Sequence, residues 1–103
     1  MNRIDRIKSM EERLDASKEA MEALAAALEK YEAVQPEWKK LSDYYGSAPW
    51  MRDFEADEAG RLPKDLKRGV LSEDAVYDLL TENRELVSRM AKLVLRSIED
   101  NTL

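Results

Sequence analysis

Residues 3–45, RIDRIKSMEERLDASKEAMEALAAALEKYEAVQPEWKKLSDYY, carry apolar side chains at helical spacing along their whole length. Ile7, Leu14, Met21 and Leu28 stand seven apart, and Met10, Leu24, Tyr31 and Trp38 fill the interleaved positions. These are the a and d places of a heptad, which line one seam of a helix. Ser17 and Gln35 interrupt the seam, while Val34, Leu41 and Tyr45 extend the three-four spacing. Asn2 is placed to cap the first turn, with Asp5 three residues on approximating a capping box. Gly46 supplies the left-handed residue that commonly follows a helix. Pro36 opposes a continuous helix, since an interior proline removes a backbone hydrogen bond and costs about 3 kcal/mol. It also biases Gln35 away from helical geometry. The apolar face passes through it without a phase break, so a kink is expected there and not an end.

The last segment, 72–103, reads as a second long helix. Ser72 is a good N-cap, and Glu73, Asp74 and Asp78 sit near the positive end of the helix dipole. Arg89, Lys92 and Arg96 fall toward the negative end. Its apolar stripe is Val76, Leu79, Leu80, Leu86, Val87, Met90, Leu93, Val94 and Ile98, with Asn83 a polar gap on the same face. Between the helices lies a connector, 46–71, holding all three glycines and two of the three prolines. Ser47 and Pro49 open a short helix carrying Trp50, Met51 and Phe54, which Gly60 closes; Pro63 opens a single turn through Leu66, ending at Gly69. A connector with its own aromatics is expected to fold as a cap. The fold expected is all-α: an antiparallel hairpin of two long helices with a short helical cap, in one domain over 1–103.

Composition bounds the function. The chain has 103 residues, 44% apolar and 38% charged, the mixture of long exposed helices. Its longest apolar run, Ala23 to Leu28, is far short of the ~20 residues of a bilayer span. No signal peptide is visible and no cysteine is present, so a cytoplasmic setting is expected. The net charge is −5, and no third of the chain is net basic, which argues against nucleic acid as a partner. Without histidine the commonest general base and metal ligand are both missing, and there is no Gly-rich phosphate loop or nucleophile elbow. An enzyme is therefore disfavoured, and no catalytic residue, cofactor or metal is assigned.

The connector holds what chemistry remains. Asp53, Glu55 and Asp57 match the first ligand positions of a calcium loop, but Glu58 stands where Gly is required and Lys64 where the bidentate Glu belongs. The match fails. Asp53 and Asp57 share a helix face at i, i+4, where they either hold a cation weakly or form an ordinary solvated surface. Arg61, Lys64, Lys67 and Arg68 follow directly; they either grip a phosphate or acidic partner, or pair with Asp53, Asp57 and Asp65 and hold the connector in shape. Tyr44, Tyr45, Trp50 and Phe54 are either core or a protein-binding hot spot beside Arg. The candidate interaction or ligand site is thus Tyr44, Tyr45, Trp50, Asp53, Asp57, Arg61, Asp65 and Arg68.

Tyr-Tyr-Gly at 44–46, Trp50, Asp-Phe-Glu-Ala-Asp-Glu at 53–58 and Leu-Pro-Lys-Asp-Leu-Lys-Arg-Gly-Val-Leu-Ser-Glu-Asp-Ala-Val-Tyr-Asp-Leu-Leu at 62–80 carry a likeness. The chain resembles the bacterial family called domain of unknown function 4298, over essentially its whole length. The resemblance implies a small stand-alone bacterial protein and brings no activity and no catalytic residues.

Unequal helix lengths point to a partner. A helix over 2–45 spans about 66 Å and one over 73–100 about 42 Å, which leaves roughly 24 Å of the first without a counterpart. That overhang carries Ile4, Ile7, Met10 and Leu14, a candidate dimer surface. The expected function is protein–protein interaction, with another protein or a second copy of the chain and not a membrane. The alternative is a carboxylate-based metal- or small-ligand-binding protein or enzyme with its site in 46–71.

Overall fold

The structure is a computed structural model and describes residues 2–101. It is all-α: helix α1 spans Arg3–Tyr44, α2 spans Ala48–Glu58, a 3-10 turn covers Gly69–Leu71, and α3 spans Ala75–Glu99. Among the described residues there is no strand. A long helix, a short helix and a second long helix follow one another in the order that a hairpin requires. The second helix was expected over 72–103; Thr102 and Leu103, at its end, lie outside the described residues.

Asn2 opens α1 as its side chain suggests. Its Oδ1 accepts the Asp5 N–H at 2.8 Å and its carbonyl accepts the Arg6 N–H at 3.0 Å. The helix runs through Pro36 without a break. At its end Gly46 takes φ +79°, open to glycine at little cost and strained for any residue with a Cβ. Ser47 then starts α2, its hydroxyl accepting the Trp50 N–H at 3.2 Å with Pro49 in the first turn. Gly60, at φ +70°, closes α2. There the Arg61 N–H reaches the Ala56 carbonyl at 2.9 Å and the Gly60 N–H reaches Asp57 at 3.0 Å, the two crossed bonds of a Schellman motif.

Two details of the connector differ from the sequence-based expectation. Pro63 does open a turn, closed by the Leu66 N–H on the Pro63 carbonyl at 3.2 Å, but Gly69 begins the 3-10 turn and does not end a helical one. Ser72 does act as a cap, its Oγ accepting the N–H groups of Asp74 at 3.3 Å and Ala75 at 3.1 Å. Yet α3 begins three residues later. The Glu73 carbonyl is engaged by the Tyr45 hydroxyl at 2.8 Å, and the helical ladder starts one residue on, where the Asp74 carbonyl takes the Asp78 N–H at 2.7 Å.

The chain divides into two compact units, Met1–Lys39 and Lys40–Leu103. The first is a single helix, and α1 has no buried residue anywhere along it. The second has a small core of Trp50, Leu71 and Val76.

Because the helix already passes through Pro36, Pro36→Ala restores a backbone bond without asking the chain to change path. The substitution should raise stability, by up to about 3 kcal/mol. A thermal melt followed by circular dichroism reads it, and a lower midpoint would show that a proline-shaped bend is needed here.

Candidate functional site

The connector is built around Trp50. The Gly46 turn and the Ser47 cap set the first turn of α2 so that its indole lies between Tyr45 and Phe54. Tyr45 meets it edge-on, with ring centroids 5.3 Å apart and planes at 74°. Phe54 stacks on it at 5.3 Å and 19°. The Trp50 Nε1–H donates to the Val70 carbonyl at 3.0 Å, which ties α2 to the 3-10 turn. Trp50, Leu71 and Val76 are 4–7% exposed. Of the two uses weighed for these aromatics, Trp50 takes the place of core, and an exposed hot spot cannot include it.

Around this core the candidate charged residues form two linked pairs. Tyr44 donates its phenol to Asp53 Oδ2 at 2.6 Å. Arg68 Nη1 donates to Asp57 Oδ1 at 2.9 Å, with both side chains about a quarter to a third exposed. A pair at that exposure stabilises by roughly 1 kcal/mol or less. Arg61 and Asp65 are exposed. Two hollows flank the Arg68–Asp57 pair: one lined by Tyr44, Asp53, Leu66 and Arg68, the other by Phe54, Asp57, Glu73 and Asp74. Among the described residues no three carboxylates come together as a metal site would require. The structure therefore brings together Tyr44 with Asp53, Asp57 with Arg68, and Tyr45 with Trp50.

The phenol of Tyr44 titrates above its ordinary value of 10.0, chiefly because it donates a hydrogen bond to Asp53, with desolvation and the carboxylate's charge adding to the effect. Ionising it would replace a donor with a second anion beside Asp53.

The surfaces are the more telling feature. Ile7, Met10, Leu14, Met21, Leu24 and Leu28, on the face of α1 that the heptad predicts, are 39–65% exposed, and Ile4 beside them is 65% exposed. On α3, Leu79, Leu86, Val87, Leu93, Val94 and Ile98 are 41–55% exposed. The opposite side of α3 gathers Arg84, Arg89, Lys92 and Arg96 around Ser88. Sequence reasoning had treated three of those four only as partners of the helix dipole. Their spacing, at i, i+5, i+8 and i+12, held the signal that they share one side. Among the described residues, the indole N–H of Trp38 is buried without a hydrogen-bond partner. No described helix is long and apolar enough to cross a membrane.

Two expected outcomes follow from this geometry. Trp50→Ala should destabilise the protein by about 3–5 kcal/mol, the range for emptying a large buried aromatic site. Trp50→Phe should also be costly, since it leaves the Val70 carbonyl unpaired, whereas Trp38→Phe removes a donor that bonds to nothing and should cost less. Chemical denaturation of the three variants gives the order. The second outcome concerns pH. A group whose folded pKa is raised adds stability below its unfolded pKa and loses it as pH climbs through the folded value. Stability from Tyr44 is thus complete below pH 10.0 and declines in more alkaline solution. An ultraviolet titration should show a late-ionising component that Tyr44→Phe diminishes, and the same substitution should flatten the alkaline loss.

No curated protein and no solved structure matches the chain. The family model described as domain of unknown function (DUF4298) matches residues 7–93, which takes in the α1 seam, the whole Trp50 connector and most of α3. The chain belongs to the DUF4298 family.

Proposed function

We propose that the chain is a helical protein–protein interaction module whose partner is a second copy of itself. The observation that carries this reading is the α1 seam: six large apolar side chains from Ile7 to Leu28, spaced by heptads, with every one of them exposed. A helix gains most of its stability in a protein from packing an apolar face, and α1 has no buried residue. Length adds to this. At 1.5 Å per residue the 42 residues of α1 span about 63 Å and the 25 of α3 about 38 Å, so α3 is too short to run the length of α1. A second α1 has the required length by construction. A two-fold pairing also lets Ile4, Ile7, Met10 and Leu14 be covered in both copies by one contact.

The carboxylate site in the connector receives no comparable support. Asp53 and Asp57 each already accept a hydrogen bond, from Tyr44 and Arg68, and among the described residues they do not join a third potential ligand in a metal-binding group.

Sedimentation velocity at micromolar concentration tests the proposal. The wild type should run as a dimer. Ile7→Glu, which sets a charge in the seam, should shift it to monomer while the Trp50 core keeps its near-ultraviolet signal. A monomeric wild type would end the self-association reading and leave the seam to a different protein.

A further inference from the structure

We propose that the two copies pair through α1 in antiparallel orientation, with the two-fold axis beside Ala20. This rests on the self-association above and adds its geometry. In the heptad set by Ile7 and Met10, Ile7, Leu14, Met21 and Leu28 occupy a and Met10, Ser17, Leu24 and Tyr31 occupy d. Antiparallel helices lay a against d, and one register uses the whole exposed seam. Leu14 then meets the partner's Leu24, Met10 meets the partner's Leu28, and Ile7 reaches the partner's Tyr31. Ser17 is the one polar residue in these layers.

Charge chooses this orientation over the parallel one. Residues 3–8 carry three basic groups and one acidic, +2, while residues 11–22 carry five acidic and two basic, −3. Parallel pairing in register sets +2 beside +2 and −3 beside −3. It also places Arg13, at a g position, next to the partner's Lys18, at e, twice over. The antiparallel register brings residues 3–8 alongside 30–35, where Lys30 and Glu32 cancel, so the +2 segment no longer faces a second +2. It brings residues 11–22 alongside 16–27, where Lys18, Glu19 and Glu22 total −1. Arg13 then lies near the partner's Ala27, and the like-charged flanking contacts fall from two Arg13–Lys18 pairs to the single Lys18–Lys18 pair at the axis. Opposed helix dipoles favour the same arrangement. At the axis the flanking g position is Ala20, so the two backbones can approach without a large side chain between them.

The natural chain has no cysteine, so disulfide mapping starts without background. Leu14→Cys and Leu24→Cys should each stay mostly reduced alone in a glutathione redox buffer, and should form the mixed disulfide in clear excess over either homodimer when combined. Ala20→Glu should weaken the dimer several-fold or more, because the two carboxylates meet at the axis; glutamate favours helix, so the chain should keep its helicity by circular dichroism. Homodisulfides of Leu14→Cys in excess, or an Ala20→Glu dimer as tight as wild type, would overturn the antiparallel geometry. If the wild type sediments as a dimer in that case, self-association itself stands. A monomeric wild type removes both.

Discussion

The hydrogen bond from the Trp50 indole to the Val70 carbonyl holds together what is otherwise a run of separate helices. It joins the start of α2 to the 3-10 turn twenty residues later, and it spares a buried N–H and a part-buried carbonyl the cost of going unpaired. Tyr45 and Phe54 both pack on the same indole, one edge-on and one stacked, and Leu71 and Val76 are the other buried residues of the core. Tyr45 then carries the connection onward, through its hydroxyl to Glu73, to the start of α3. The two surface pairs, Tyr44 with Asp53 and Arg68 with Asp57, brace this arrangement from outside. So the residues that look most like a site in composition are largely the ones that build the connector.

That distribution has a consequence for function. Asp53 and Asp57 of the connector are engaged by Tyr44 and Arg68, while the large apolar residues of α1 lie exposed in a regular seam. The self-association reading follows from that contrast. Two chains that each cover the other's seam gain burial that neither helix finds alone, and the core around Trp50 can remain as small as it is.

Local signals in the sequence were reliable where the physics is local. Asn2 caps α1, Ser47 and Pro49 open α2, and Gly46 and Gly60 take the left-handed conformation that ends a helix, each because a few neighbouring residues decide the matter. The likeness to the DUF4298 family, read from residues 44–80, holds over residues 7–93. Ser72 shows where local reasoning stops. Its capping role was legible, but the first residue of α3 was not, because the shift depends on a tyrosine 28 positions away from Glu73. Among the candidate site residues the Asp57–Arg68 pairing was anticipated as one of several possible pairings. Tyr44 with Asp53 was not, since nothing in a spacing of nine across a turn announces a contact.

The sequence by itself determined the helices, the ends of α1 and α2 and the heptad face of α1, because side-chain periodicity, caps and glycine turns act over one or two turns of chain. It also determined the absence of histidine and cysteine chemistry, which is a matter of inventory. Only the tertiary structure decided that Trp50 is core and that Asp53 and Asp57 are engaged by Tyr44 and Arg68. Burial and hydrogen bonding between segments depend on where the chain returns in space, and a sequence pattern states only which residues are available to meet there.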